Sequence, residues 1–192
     1  MMNRLVSDTG WDLWLRWMIA TGIAWIVGMT AAFPLSYLLN VVYPKTTNVL
    51  VGLCLGAAVG VAQKIAAKRW IDLTWSWVWG AVIGVGAPFV VAEIIDVLWP
   101  GSGGYTGDRM SVWALVICAG GLIAGSLQMR VLQRFTPKAV WWVPASIVSW
   151  GLAWFVMDLA GMMGLAAGGA VLGAVSGGFL LWIFKNPVDA VA

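Results

Sequence analysis

Gly56-Ala57-Ala58-Val59-Gly60-Val61-Ala62-Gln63 lies inside an apolar stretch, and Gly121-Leu122-Ile123-Ala124-Gly125-Ser126-Leu127-Gln128 repeats its pattern. Both read G-x-x-x-G-x-x-Q. A near-copy, Gly169/Gly173/Ser176, follows at the same spacing. Glycines four apart share one helix face, and no side chain there holds another backbone away. The glutamine falls seven residues past the first glycine, almost two turns, so it returns to that face. Gly56, Gly60, Gly121, Gly125, Gly169 and Gly173 are therefore expected to be helix-packing positions. Gln63 and Gln128 are amides that need partners supplied by other helices.

The surroundings say which solvent these helices meet. Of 192 residues, 61% are hydrophobic and only 10% charged, against roughly 25% charged in a soluble domain. Apolar runs of about 20 residues, the length that crosses a bilayer, recur at 17–42, 48–67, 77–98, 112–131, 140–160 and 163–184. The expected fold is all-α, a single transmembrane domain of six helices. The charged flank with Asp8 and Asp12 beside Arg4 and Arg16, and the length of the first run, argue for a retained first helix rather than a cleaved signal.

A shift of 65 residues carries Gly56, Gly60, Gln63, Arg69 and Trp77 onto Gly121, Gly125, Gln128, Arg134 and Trp142 without a gap. The simplest unit is an odd helix plus the even helix after it, giving hairpins at about 14–70, 75–135 and 139–185. Three hairpins of one orientation would be related by a pseudo-threefold axis along the membrane normal. Pro34, Pro88 and Pro144 fall in the three odd spans, where each removes a helix N–H and bends its helix.

Six spans put the N-terminus, second loop, fourth loop and C-terminus on one side. That side holds Arg4, Arg16, Lys64, Lys68, Arg69, Arg130, Arg134, Lys138 and Lys185; the other holds Lys45 and Arg109. The asymmetry predicts cytoplasmic termini. Trp11, Trp14, Trp17, Trp70, Trp75, Trp77, Trp79, Trp141, Trp142 and Trp182 cluster at the same ends, and Trp99 and Trp113 at the opposite ends. They are expected to act as interfacial anchors. Trp25 and Trp150 fall deeper and are expected to pack between helices. The net charge of +3 reflects juxtamembrane residues that attract lipid head groups. No basic tract suits nucleic acid.

The chemistry available is limited. There is no histidine, which removes the usual general base, metal ligand and haem ligand. Cys54 and Cys118 lack zinc spacing and read as small packing residues. Ser126, Ser149 and Ser176 have no histidine or lysine base. The loop from Pro100 to Asp108 has the glycines of a phosphate loop but no Lys-Ser/Thr pair. No enzyme activity, metal or cofactor is expected. The candidate polar site is Gln63, Gln128, Ser126, Glu93 and Asp158, with Thr21 and Ser149 as further inward polar positions. Glu93, Asp96 and Asp158 fall near the outer ends, where a carboxylate can be hydrated.

The run from Gly121 through Gln128, Arg130, Arg134, Trp141 and Trp142 to Gly151 resembles a group of small bacterial polytopic membrane proteins. In these a glutamine-tipped helix is followed by a basic turn and a W-W start to the next helix. The resemblance covers about two thirds of the chain and implies an architecture and a bacterial inner membrane, with no activity to carry over. The first copy departs from it, since Ser76 splits Trp75 and Trp77. Two functions are expected. The first is a non-catalytic accessory or scaffold subunit, its partners being lipids, itself or other membrane subunits. The alternative is a small-solute carrier or channel with a polar path near Gln63 and Gln128.

Overall fold

A computed structural model describes residues 9–40, 47–98 and 109–185. Lys45, Trp99, the glycine-rich loop 100–108, the N-terminal flank with Arg4 and Asp8, and the side chain of Asp96 lie outside the described residues. The described chain is helical: α1 (Thr9–Asn40), α2 (Thr47–Ala67), α3 (Trp75–Leu98), α4 (Arg109–Leu132), a 3₁₀ turn (Pro137–Trp141) and α5 (Trp142–Lys185). Helices satisfy their own backbone groups, which lipid requires. α5 breaks at Gly161 (φ 54°, ψ −126°), so it supplies two spans. Among the described residues six helices are long and apolar enough to cross a membrane, the last two being Pro137–Gly161 and Ala166–Phe184. The class is thus a multi-pass membrane bundle, and the latter two are called the fifth and sixth spans below.

The helices form a closed ring. Each packs against its sequence neighbours, and α1 also packs against α5. That closing contact is made by the sixth span, because Cβ atoms at Gly169, Gly173 and Gly177 would meet Trp25, Met18 and Trp17. The fifth and sixth spans turn back on each other with no intervening loop. A backbone of positive φ and negative ψ strains any L side chain, so a glycine makes this reversal. Gly164 then approaches the Met157 backbone, and Gly168 the Ala153 carbonyl.

Three details differ from the sequence expectation. α1 starts at Thr9 rather than Trp17, two turns earlier, because its first turns are amphipathic and carry an Asp12–Arg16 pair at 2.9 Å. Pro144 lies in the fifth span, but in the first turn of its helix rather than the interior. It is the third residue of α5, where its missing N–H has no intrahelical partner to lose. Pro34 and Pro88 do lie within α1 and α3. The third concerns tryptophan. Trp11, Trp75, Trp79, Trp141 and Trp182 are exposed, as anchors should be, whereas Trp17, Trp77 and Trp142 are 0%, 0% and 2% exposed. Trp113 is also half-buried against the core, 5.5 Å from Phe89 and 6.5 Å from Trp154.

Candidate functional site

The bundle axis is built in layers from the odd spans. At the basic end Trp17, Trp77 and Trp142 meet, with ring centroids 5.3–6.3 Å apart. One turn further along each span stand Thr21, Ala81 and Ser146, all buried. A second turn brings Trp25, Val85 and Trp150, also buried. Trp25 and Trp150 lie 5.7 Å apart at 35°, which is the packing role expected of them.

Acceptors matter for the three indoles at the basic end, since a buried unpaired N–H costs about 1–3 kcal/mol. The motif residues supply it. Trp77 Nε1 donates to Gln63 Oε1 at 3.1 Å, and Trp142 Nε1 to Gln128 Oε1 at 3.0 Å. Trp17 Nε1 donates to Ser176 Oγ at 3.0 Å. Ser176 in turn donates to the Leu172 carbonyl at 2.6 Å, leaving its lone pairs for the indole. Gln128 also donates to the Trp77 carbonyl at 3.4 Å.

The motif glycines set the approach that makes these bonds possible. A Cβ on Gly60 would meet Val78 Cα and Ala81 Cβ; on Gly125, Val143 Cα and Ser146 Cβ; on Gly173, Met18 Cα and Thr21 Cβ. One glycine up, Gly56 faces Ala81 and Val82, Gly121 faces Ser146 and Ile147, and Gly169 faces Gly22 and Trp25. The motif face of each even span therefore looks toward the odd span that follows it. For the sixth span that neighbour is α1.

Above the tryptophans lies a small cavity of about 10 Å³, lined by Gln63, Gln128, Ser146, Ser149, Ser176 and apolar side chains. It is about the size of one water molecule. Its lining is neutral: two amides, three hydroxyls, the indoles of Trp142 and Trp150, and aliphatic side chains. Ser149 donates to its own helix, to the Ala145 carbonyl at 2.6 Å. Thr21 Oγ1 and Trp25 Nε1 are buried with no partner. No side chain in the lining could take a proton from a serine, so the site holds no nucleophile–base pair. Among the described residues no three Cys, Asp or Glu side chains converge.

The remaining candidate residues stand apart from this axis. Ser126 is half-buried and bonds back to the Leu122 carbonyl at 2.7 Å. It precedes Gln128 by two residues, about 200° around the helix, so it leaves the axis. Glu93 is half-buried and accepts from Asn48 Nδ2 at 3.0 Å, tying α3 to the start of α2. Asp158 is exposed, three residues before the break at Gly161. These residues do not share a site with the glutamines or with one another. The three axial tryptophans were read from sequence as anchors instead. The available signal was spacing: both glutamines precede their tryptophan by 14 residues.

Family models, curated proteins and solved structures contain no match to this chain.

Proposed function

We propose that this chain is a non-catalytic integral membrane scaffold or accessory subunit that works through its outer surface. It is read as a member of the small bacterial group it resembles, set in the cytoplasmic membrane with both termini inside. Its six spans are read as three hairpin repeats about a pseudo-threefold axis. The recurring glycine contacts and the three indole bonds support that symmetry.

The observation that carries the functional reading is the filled axis. The Trp17/Trp77/Trp142 layer closes the basic end, and the polar space above it takes about one water. A rigid plug of this kind leaves the periphery as the working surface. Purification in mild detergent tests it. A stoichiometric membrane subunit, or a self-associated form, is the expected result. A lone monomer that carries a solute across reconstituted vesicles would refute it.

A carrier is the second reading, because Gln63, Gln128, Ser146, Ser149 and Ser176 do converge. Transport would require the tryptophan layer to part. Solute flux in vesicles, abolished by Gln128→Leu in a protein that remains folded, would favour it.

A further inference from the structure

We propose that the α4–α5 corner is a binding site for the phosphate head group of an anionic phospholipid. The argument starts from an imbalance between the two corners at the basic end. At the α2–α3 corner every cation but the exposed Lys68 faces a carboxylate. Lys64 Nζ lies 3.7 Å from Asp72 Oδ1 and also donates to the Leu73 carbonyl. Arg16 and Arg69 reach Asp12 at 2.9 and 4.0 Å, and both lie 5.8 Å from the Trp70 ring.

The α4–α5 corner has no carboxylate to compensate its cations. No Asp or Glu occurs between Asp108 and Asp158. Arg130 in the last turn of α4 and Arg134 just after it are exposed, and Lys138 is half-buried. None of the three has a carboxylate within ion-pair distance among the described residues. Guanidinium groups suit phosphate oxygens because they present planar paired donors.

The corner is also held in shape, which lowers the ordering cost of binding. Thr136 Oγ1 accepts from the Lys138 N–H at 3.3 Å, and Phe135 N donates to the Leu132 carbonyl at 2.9 Å. Ala139 and Thr136 are buried at 0% and 8% exposure, so they pin the turn to the core. Beside it, Lys138 Nζ sits 5.7 Å from the Trp182 ring, and Trp182 meets Trp141 edge-on at 6.1 Å. Both indoles are exposed, and exposed indoles at a span end mark head-group depth. Three cations without a carboxylate partner therefore stand where lipid phosphates are.

Native mass spectrometry of the whole protein, released from bilayers of phosphatidylglycerol or phosphatidylcholine, tests this. Phosphatidylglycerol should be retained and phosphatidylcholine should not. Each juxtamembrane cation changes affinity about fivefold, so the double variant R134Q/K138Q should lose about 25-fold in affinity. The paired-corner variant R16Q/R69Q should change it about twofold or less, and R134K, which keeps the charge but loses the paired donors, should lose less than removal of a whole cation does. Thermal melting checks that both double variants remain folded; if R134Q/K138Q does not, R130Q takes its place with a fivefold loss expected. Equal losses at the two corners would overturn the proposal in favour of a diffuse field. Equal retention of both lipids, or displacement of phosphatidylglycerol by inorganic phosphate, would overturn it too.

Discussion

Replacing Gly60, Gly125 or Gly173 by alanine tests the equivalence of the three seams with a single added methyl each. At Gly60 the new carbon would stand 3.0 Å from Val78 Cα. At Gly125 it would stand 2.8 Å from Ser146 Cβ and 3.1 Å from Val143 Cα. At Gly173 it would stand 2.7 Å from Met18 Cα. Carbon atoms pack best at about 3.5–4.0 Å, so each seam must open by roughly 0.5–1 Å. The obstructing atoms are mostly backbone, which cannot rotate away. Overpacking of this kind costs about 1–3 kcal/mol. Alanine also recovers about 1 kcal/mol of helix propensity, leaving a net loss of about 0–2 kcal/mol. Gly173 should fall furthest. Gly178 is the internal control on the same span, since its added carbon meets nothing nearer than 4.0 Å. Gly178→Ala should be neutral or stabilising by up to about 1 kcal/mol. The assay is thermal or denaturant unfolding of detergent-solubilised protein, each variant compared with Gly178→Ala. If Gly173→Ala matches Gly178→Ala while the other two fall, the sixth-span seam is not equivalent, and the threefold reading reduces to a duplication. If all four behave alike, the close approach itself is refuted.

Gln128→Leu strands the Trp142 N–H and should cost about 1–3 kcal/mol, more than Gln63→Leu, because Gln128 makes two bonds and Gln63 one; equal unfolding midpoints would refute the ranking. Gly161→Ala meets no atom within 4 Å, so its cost is backbone strain alone, about 1–3 kcal/mol; an unchanged midpoint would show that the reversal does not need positive φ. In a variant lacking Cys54 and Cys118, a cysteine at Lys138 should resist an impermeant thiol reagent in intact cells and one at Ser102 should react. The opposite labelling would invert the orientation.

The spans were legible because a bilayer imposes one length and one polarity on all of them. Their ends were less so, since the first turns of α1 carry both Trp11 and Asp12 and read as flank. The axis was half legible. Gln63 and Gln128 stood out because an amide in an apolar run must find a partner. A tryptophan at a span end, by contrast, has two homes, the interface and the core, and hydropathy does not separate Trp17 from Trp11. Position on the helical wheel separates more. Thr21 follows Trp17 by four residues and Ser149 follows Trp142 by seven, so both return to the axial face. Ser126 precedes Gln128 by two and cannot share its face. The bond from Trp17 to Ser176 joins residues 159 apart, and no local spacing encodes it.

Why a membrane bundle should keep three polar pairs on its axis follows from what glycine faces lack. A seam of glycine against backbone is smooth, and dispersion alone distinguishes weakly between registers shifted by one turn, about 5.4 Å. An indole N–H is a single directional donor. Shifted by one turn it would miss its acceptor, and no water stands ready to replace it. An interhelical hydrogen bond in a membrane contributes only about 0.6 kcal/mol on average, so the Gln63, Gln128 and Ser176 bonds add little to total stability. Their effect is on the alternatives, each of which carries an unpaired buried donor costing about 1–3 kcal/mol. The third seam can use a serine because Trp17 reaches to within 3.0 Å of Ser176 Oγ. The register of the ring closure is then set by the same donor type as at the other two seams, although its acceptor differs.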